Sequence, residues 1–302
     1  MSEIEKSETT KGYIYALIAF GIWGIFPLYW HLLDHVDALE ILAHRALWTL
    51  PVCALVLLWL KKFKSSLGVF KQPKVILLLS LSTTLIAANW GIYIWSVTHD
   101  AIIQASLGYF LNPLVNVLAG LLIFKEQLRR GQWLAVSLAC IGVIFAFIAG
   151  GQPPWIGLAL GLSFGVYGAI RKLIPVDSVP GLFIETLLIA PFAAAYLIWL
   201  ELNGASVFTR IDLTTDILLL GAGIMTAVPL FSYVAAARRL PISTVGMLFY
   251  ITPSCLFLLA AFLYNEPIIL TDLITFGFIW AALAIFTVER HHNARKNRET
   301  TI

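Results

Sequence analysis

The segment Arg45–Leu60, RALWTLPVCALVLLWL, decides the fold class, because no charged residue follows Arg45 in it. With the preceding residues from Ile41, it is long enough to cross the ~30 Å hydrocarbon core of a bilayer as a helix. A charged side chain within such a run is costly, so an intramembrane arginine needs a partner or a role. Arg45 is therefore the first candidate functional residue.

The composition of the whole chain indicates a membrane protein. Of its 302 residues, 60% are apolar and 12% are charged, and the mean hydropathy is +0.87. Soluble domains have roughly 45–50% apolar and about 25% charged residues. The apolar runs do not alternate over ~10 residues, as the strands of a membrane barrel would. We predict an all-α polytopic membrane protein with ten transmembrane helices. They are Tyr13–Leu33, Ile41–Leu60, Val75–Val97, Ile102–Phe124, Gln132–Ala149, Ile156–Ile174, Gly181–Leu200, Asp216–Ala237, Ile242–Leu263 and Leu273–Val288.

Positive residues predict the orientation. Of the 20 lysines and arginines, only Arg210 falls outside and only Arg45 falls within a span when the N-terminus is placed in the cytoplasm. Cytoplasmic loops are enriched in such residues, so both termini are expected in the cytoplasm. The net charge of +3 gives no reason to expect nucleic acid as a partner. The three cysteines lie singly in apolar spans, and neither a metal site nor a cofactor is expected.

The chain contains an internal repeat. FGIWG (Phe20–Gly24) matches FGVYG (Phe164–Gly168), and LNPLVNVLAGLLIFKE (Leu111–Glu126) matches ITPSCLFLLAAFLYNE (Ile251–Glu266). An offset of 140 residues relates Pro113 to Pro253 and Pro51 to Pro191. Because each unit has five spans, the second unit must enter the membrane from the opposite side, as in many secondary transporters. The predicted division is a cytoplasmic tail 1–12, a first repeat 13–149, a periplasmic linker 150–155, a second repeat 156–288 and a basic cytoplasmic tail 289–302.

Prolines inside the spans point to a cavity between the units. Pro27, Pro113, Pro229 and Pro253 each free the carbonyl group four residues earlier and favour a kink. Loose backbone at this depth is tolerated where it is buried in protein or lines a wet cavity. Kinks that serve helix packing alone are the alternative. We expect a hydrophilic hollow between the two halves.

Polar and aromatic side chains at depth are the candidates for lining this hollow. Asn112 and Asn116 recur at four-residue spacing between Gly108 and Gly120, which places them on one helix face. For the asparagines, the alternative role is to form hydrogen bonds between helices. For Trp90, Trp95 and Tyr250, the alternative is a place in the belts that Trp and Tyr form at the membrane interfaces. The candidate substrate-binding residues are Arg45, His44, Trp23, Asn89, Tyr93, Tyr109, Asn112 and Tyr250.

Two charged residues occupy equivalent positions in the repeats. Arg45 and Glu185 are 140 residues apart, and inversion places them at opposite depths, which argues against a direct ion pair. Snorkelling to the interface is the alternative role for Arg45. Glu185 is the candidate coupling residue, and His44 could titrate near neutral pH. The partners expected for Arg45 are Glu40, Asp34, Asp37 or an anionic group on the cargo, and those expected for Glu185 are Arg171 or Lys172.

The pentapeptide GLSFG, Gly161–Gly165, matches the Gly-x-Ser-x-Gly pattern of serine hydrolases. That chemistry requires a strand, a sharp turn and a helix around the serine. Here Gly157, Gly161, Gly165 and Ala169 form a stripe of small residues on one helix instead. Such stripes allow close helix packing, either within one chain or between the two chains of a homodimer.

Four segments, FGIWGIFPLYW, EILAHRALW, NWGIYIWSV and QASLGYFLNPLVNVLAG, resemble the RarD group of EamA-domain permeases in the drug/metabolite transporter superfamily. The resemblance covers essentially the full chain. It implies ten helices in two inverted five-helix repeats, a bacterial inner-membrane location and a group name tied to chloramphenicol sensitivity. Members are regarded as exporters or exchangers of small metabolites or drugs. The motif residues of the group fall on Trp23, His44, Arg45, Asn89, Trp90, Tyr109, Asn112, Pro113 and Glu185.

The favoured function is therefore a secondary transporter of a small-molecule solute, with a proton as a candidate second ligand and membrane lipids around it. The sequence has no Gly-x-x-x-x-Gly-Lys-[Ser/Thr] phosphate loop for ATP. An intramembrane enzyme is the alternative, but paired carboxylates, a zinc motif and a credible nucleophile are not evident in the sequence. A channel is a third possibility, and it fits kinked inverted repeats less well.

Overall fold

The computed structural model describes residues 3–98, 102–149, 155–263 and 270–299. Within these ranges all regular secondary structure is helical. Short 3₁₀ turns follow α2 and α4, at His31–Leu33 and Gly68–Lys71. The α-helices are α1 (Glu3–Gly24), α2 (Phe26–Trp30), α3 (Ala38–Trp59), α4 (Phe63–Leu67), α5 (Pro73–Thr98), α6 (Ile102–Leu122), α7 (Arg130–Ala149), α8 (Trp155–Leu173), α9 (Ser178–Leu202), α10 (Leu213–Arg239), α11 (Ile242–Phe249), α12 (Ile251–Phe262) and α13 (Leu270–Glu299).

The helices have the length and composition of membrane spans. Among the described residues, eight helical segments are long and apolar enough to cross a bilayer, and α1 with α2 forms a further, bent candidate. A shorter apolar segment lies at Tyr109–Leu122 in α6. Large apolar side chains such as Leu55, Leu77 and Phe192 are exposed on the outer helix faces, as lipid contact requires. The protein is an all-α, multi-pass membrane protein.

Two of the predicted spans are interrupted. The first bends by 44° between Gly24 and Phe26, immediately before Pro27 in the first turn of α2. The ninth breaks at Tyr250, and Pro253 lies in the first turn of α12. Pro113 and Pro229 lie inside the continuous helices α6 and α10. A missing backbone donor therefore accompanies a break at two of the four predicted kink positions.

The polar tails are helical as well. We expected residues 1–12 and 289–302 to lie outside the spans, yet α1 begins at Glu3 and α13 continues to Glu299. The reason is local, because Glu, Lys and Arg are good helix formers and extend a helix that an apolar run has nucleated. The 150–155 linker and Glu266 fall largely or wholly outside the described residues.

The direction of α1 follows from its contacts with α10. Gly12 packs against Leu240, at the C-terminal end of α10. At the other end of α1 and α2, the Tyr29 hydroxyl donates a hydrogen bond to the Leu218 carbonyl. The two helices are therefore antiparallel.

Helix α8 has the opposite relation to α10. The ammonium of Lys172 donates to the Leu240 carbonyl at 2.7 Å, and one helical turn earlier Gly168 makes room for the ring of Tyr233. Both helices thus approach their C-terminal ends together and are parallel. Because α1 is antiparallel to α10, α1 and α8 run in opposite directions.

The small residues of α8 pack within the chain. Gly161 lies against Leu111 and Gly165 against Val115, both on α6. Ser163 lies in the middle of the helix, where its hydroxyl accepts a hydrogen bond from the Asn89 amide at 2.9 Å. The serine therefore lacks the strand–turn–helix setting of a hydrolase nucleophile, and the stripe serves the α6–α8 contact.

Ionic contacts tie the helices together at one end, which we call the basic end. Asp177 lies 3.1 Å from the ammonium of Lys62 and 3.5 Å from the guanidinium of Arg238. Glu126 accepts hydrogen bonds from the backbone N–H groups of Ile242 and Ser243, which caps the N-terminus of α11. These contacts hold the connections between helices close to the bundle.

Polar contacts also close the other end, which we call the opposite end. His35 lies 3.0 Å from the Thr215 hydroxyl. The buried Glu40 carboxylate accepts from the Ser206 hydroxyl at 3.1 Å and from the Val207 backbone N–H at 2.8 Å. The connection between α9 and α10 is thereby fixed to the start of α3.

Candidate functional site

The start of α3 fixes the position of Arg45. The Asp37 carboxylate accepts hydrogen bonds from the backbone N–H groups of Leu39 and Glu40, and so caps the helix. Arg45 lies two turns further on. The bend before Pro27 directs α2 toward this turn, and Phe26 and Trp30 share one face of α2 at four-residue spacing.

Aromatic rings surround the Arg45 guanidinium. Its central carbon lies 4.8 Å from the ring centre of Trp30, 5.3 Å from that of Trp90 and 5.9 Å from that of Phe26. Its Nε donates a hydrogen bond to the Thr226 hydroxyl on α10 at 3.1 Å. Cation–π attraction of this kind contributes about 0.5–2 kcal/mol per contact and increases with desolvation.

Our expectation of a carboxylate partner for Arg45 is wrong within the described part of the chain. Glu40 is engaged by the α9–α10 connection, and Asp37 caps its own helix. Asp34 lies 3.8 Å from His31 and 3.7 Å from His35. Each of the three carboxylates is engaged by another group instead. Arg45 forms no ion pair with any described carboxylate.

Glu185 lies in a separate buried cluster near the basic end. Its carboxylate is 3.4 Å from the Arg171 Nε, and both side chains are nearly inaccessible to solvent. Ser82 on α5 donates to the same carboxylate, and the Tyr167 hydroxyl donates at 3.4 Å. The Arg171 guanidinium fills the space beside Gly181, where a side chain would collide with it. Of the two expected partners, Arg171 is the one that meets Glu185.

Lys172 has a different role. Its ammonium lies 3.5 Å from the Glu126 carboxylate and 2.7 Å from the Leu240 carbonyl. The buried pair Arg171–Glu185 and the less buried pair Lys172–Glu126 are therefore separate.

The centre of the bundle is occupied by aromatic side chains. Trp23 lies 5.4 Å from Phe164, 5.8 Å from Tyr233 and 6.0 Å from Phe249, measured between ring centres. Phe20 joins the same cluster, 5.2 Å from Phe249. The two matching motifs FGIWG and FGVYG thus meet at the middle of the molecule.

The expected hydrophilic hollow is not open among the described residues. A cavity of about 10 Å³ lies beside Glu185 and is lined in part by Trp90, Tyr167 and Thr186. That volume admits about one water molecule. Glu185 lines this cavity, and so does Trp90, whose ring also lies 5.3 Å from the Arg45 guanidinium.

Several predicted site residues come together around Arg45 and the aromatic centre. The rings of Tyr93 and Tyr109 lie 6.4 Å apart, and both are within electrostatic range of the Arg45 guanidinium. Tyr109 stacks on Phe249 at 6.4 Å, and Phe249 contacts Trp23. A continuous row of aromatic rings therefore links Arg45 to the centre.

Other predicted site residues face elsewhere. The Trp48 indole N–H donates to Nδ1 of His44 at 2.9 Å, and the buried His44 ring lies 4.9 Å from Phe208, away from Arg45. The Tyr250 hydroxyl donates to the Phe110 carbonyl at 3.1 Å. The His44 contacts lie within α3 and against the connection between α9 and α10, whereas the Tyr250 bond joins two helices.

The asparagines differ from each other. The Asn89 amide donates to the Leu160 carbonyl and to the Ser163 hydroxyl, both at 2.9 Å, so it links α5 to α8. Asn112 is buried near Gly165, and its Oδ1 has no hydrogen-bond partner among the described residues. The Trp95 side chain lies outside the described side chains.

Comparison with known proteins identifies the family. The sequence model of the EamA-like transporter family matches residues 10–148. A Vibrio cholerae protein named Uncharacterized transporter is 42% identical over 297 residues, which cover 97% of this chain and 98% of its own. Protein RarD of Escherichia coli is 39% identical over 293 residues, covering 97% and 99%. The chain belongs to the RarD group of EamA-like transporters.

More distant relatives agree. Chloramphenicol-sensitive protein RarD of Pseudomonas aeruginosa is 30% identical over 281 residues, covering 91% of this chain and 93% of its own. A solved structure matches with a TM-score of 0.68 at 17% identity, covering 93% of this chain and 98% of its own, which shows the same fold. Membership of the RarD group makes the protein a multi-pass transporter of the bacterial inner membrane and of the drug/metabolite transporter kind.

Sequence reasoning missed several residues of this RarD-type site. Phe26 and Trp30 flank Pro27 at four-residue spacing, and that spacing is a signal that could have found them. Thr226 and Ser82, which bond to Arg45 and Glu185, are small polar residues in apolar spans. Their sequence context does not distinguish them from other threonines and serines.

Proposed function

We propose that the protein is a secondary transporter that exports or exchanges a small metabolite or drug by alternating access between two inverted five-helix repeats, with both termini in the cytoplasm. One contact carries the proposal. Tyr250 and Phe110 are 140 residues apart, the offset of the repeat, and they contact each other directly. Two equivalent residues meet in this way where a two-fold axis relating the repeats passes between them.

The pairing of helices supports the same relation. If α1 corresponds to α8, α3 to α9, α5 to α10, α6 to α11–α12 and α7 to α13, the major contacts between the two units are related in pairs or to themselves. Contact α1–α10 corresponds to α5–α8, α3–α10 to α5–α9, and α1–α12 to α6–α8. The opposite directions of α1 and α8 agree with inversion, and the matched EamA segment, 10–148, coincides with the first unit.

Arg45 and Glu185, the two charged residues at equivalent positions, are consistent with the same relation between the repeats. Arg45 on α3 bonds to Thr226 on α10, whereas Glu185, its counterpart on α9, bonds to Ser82 on α5. The counterpart of Ser82 is Ala222, one helical turn from Thr226. The two charged side chains thus each bond to a hydroxyl on the corresponding helix of the other repeat. The positions of the two hydroxyls differ by one helical turn, and the two charges have opposite sign. We propose Arg45, Trp23, Tyr93 and Tyr109 for binding solute.

The remaining predicted site residues retain supporting roles in this proposal. Asn89, Asn112, His44 and Tyr250 hold the helices that carry the site, and Glu185 couples solute movement to a proton. The breaks near Pro27 and Pro253 supply bends about which the repeats move, and Pro113 and Pro229 remove a backbone donor inside the continuous helices α6 and α10.

The direct test of transport begins with an untargeted comparison of solutes in cells that lack or overproduce the protein. A solute whose distribution changes is then loaded into proteoliposomes. We expect saturable counterflow, in which an excess of unlabelled solute inside the vesicles drives labelled solute inward. Flux that rises linearly with concentration and shows no counterflow would favour a channel.

Alternating access is tested by locking one end at a time. With Cys53, Cys140 and Cys255 replaced by alanine, a short bis-methanethiosulfonate reagent joins Lys62→Cys to Asp177→Cys at the basic end, or His35→Cys to Thr215→Cys at the opposite end. Thr83→Cys, which lines the cavity beside Glu185, reports access.

We expect the lock at the basic end to make Thr83→Cys reactive to a maleimide added from the periplasmic side only. The lock at the opposite end should make Thr83→Cys reactive from the cytoplasmic side only. The unlocked reporter variant is the matched control. Equal reactivity from both sides in both locked proteins would contradict alternating access.

A further inference from the structure

No carboxylate in the described part of the chain compensates the charge of Arg45. Arg171 is paired with Glu185 at 3.4 Å, and Lys172 is paired with Glu126 at 3.5 Å. Arg45 has no carboxylate partner among the described residues, and the protein groups that surround it are neutral rings and one hydroxyl. A cation within a membrane-spanning helix is costly when it has no counter-charge, so the site favours an anion.

Most of the hydrogen-bond donors of Arg45 have no acceptor among the described residues. A guanidinium has five N–H donors, and here Nε alone donates to a described residue, the Thr226 hydroxyl. Arg45 is only partly buried, so its two amino groups remain within reach of a ligand. The fork of a guanidinium matches two oxygens of a carboxylate, phosphate or sulfonate.

The rings around Arg45 define the rest of the ligand. Trp30, Trp90 and Phe26 lie within 6 Å of the guanidinium and form apolar walls beside it. A hydrophilic inorganic ion leaves these walls without a contact, whereas an organic anion with a flat apolar body covers them. Arg45 with the rings of Phe26, Trp30 and Trp90 thus favours an oxyanion that is attached to an apolar group.

We infer that Arg45, held in place by its bond to Thr226, binds the oxyanion group of an organic solute, that Trp30 and Trp90 contact the apolar body of this solute, and that this solute class is the cargo. The inference rests on the proposed transport function. Lipid phosphate has the same oxyanion chemistry, so the experiment separates a soluble ligand from a headgroup.

The experiment measures binding to the purified full-length protein by equilibrium dialysis in a neutral detergent. The probes are benzoate, phenyl phosphate and benzenesulfonate, with benzamide as the neutral isostere of benzoate and chloride as an inorganic anion. We expect at least one aromatic anion to bind saturably, benzamide not to bind, and 100 mM chloride not to displace the anion.

Substitutions locate the site. Arg45→Gln should weaken binding of the aromatic anion by about 10- to 100-fold, since hydrogen bonds to a charged group are lost. Arg45→Lys should retain part of the affinity, because a point charge replaces a fork. Arg210→Gln is the matched control, because this exposed arginine pairs with Glu201 on the surface, and its affinity should be unchanged.

Four results would overturn the inference. They are equal binding of benzamide and benzoate, no binding of any aromatic anion, unchanged affinity in Arg45→Gln, and displacement by chloride. In phosphatidylcholine nanodiscs the aromatic anion should bind as in detergent. If added phosphatidylglycerol abolished that binding, the site would belong to lipid and not to cargo.

The failure of the inference is distinguishable from the failure of the proposed function. If saturable counterflow of a neutral or cationic solute is found while no anion binds at Arg45, the function stands and the inference fails. If an aromatic anion binds through Arg45 but no solute shows counterflow, the anion site stands and the transport proposal fails.

Discussion

Glu185→Leu is expected to lower the free energy of unfolding by about 3–5 kcal/mol, because it leaves the buried Arg171 without a counter-charge. Arg171→Met should lower it by a similar amount, since the carboxylate is then left without its cation. The measurement is unfolding in mixed micelles with increasing sodium dodecyl sulfate, followed by circular dichroism.

The double variant Arg171→Met/Glu185→Leu provides the control. Replacing a buried ion pair with apolar residues of similar volume is often neutral or stabilising, so the double variant should be more stable than either single variant. The Ser82 hydroxyl keeps its bond to the Leu79 carbonyl when the carboxylate is removed. Additive losses in the double variant would show that the two charges do not act as a pair.

The same double variant separates stability from coupling. If Glu185 couples solute movement to a proton, the folded double variant should lose the response of transport to an imposed pH gradient. The wild-type protein measured in the same vesicles is the reference. Transport that follows the pH gradient equally in both proteins would remove Glu185 from the coupling step.

Arg45→Ala is expected to reduce transport by at least about 100-fold, because it removes the charge and every donor of the guanidinium from the site. Arg45→Lys should also fail to restore the wild-type rate, since an ammonium cannot make two parallel hydrogen bonds to one oxyanion. The measurement is the initial rate of counterflow in proteoliposomes, normalised to the amount of reconstituted protein.

Thr226→Val provides a graded comparison. It removes the hydroxyl that accepts from the Arg45 Nε but keeps the volume of the side chain and the charge of the guanidinium, so we expect a loss of about fivefold, equivalent to ~1 kcal/mol, the typical net contribution of one hydrogen bond. Arg210→Ala, on the surface, should transport at the wild-type rate. A wild-type rate in Arg45→Ala would show that this arginine has only a structural role.

The sequence was sufficient to predict an all-α, multi-pass membrane protein, because the length of an apolar run is a direct physical requirement of the bilayer. It also argued against a pair between Glu185 and Arg45, and it named Arg171 as one of two expected partners of Glu185, which the structure confirms. The break at Pro27 was foreseen from the missing backbone donor. The break at Tyr250 was foreseen in the same way, since Pro253 frees the Phe249 carbonyl, whereas Pro113 and Pro229 lie in continuous helices.

The environment of Arg45 could not be predicted from spacing along its own helix. Its rings come from α2 and α5 and its hydroxyl partner from α10, so the site depends on how three other helices pack. For the same reason Asn89, expected in a cavity wall, bonds to α8, as the alternative of interhelical hydrogen bonding allowed. Periodicity identifies a face of a helix, and only packing determines what that face meets.

The central claim is that the two halves are inverted, and the most direct test compares two equivalent loop positions. Ser65 and Ala205 are 140 residues apart, exposed, and lie in the connections that follow α3 and α9. Each is replaced by cysteine in a protein without Cys53, Cys140 and Cys255, and spheroplasts are treated with a membrane-impermeant maleimide. We predict labelling of Ala205→Cys in intact spheroplasts and of Ser65→Cys only after the membrane is opened. Labelling of both from the same side would contradict the account.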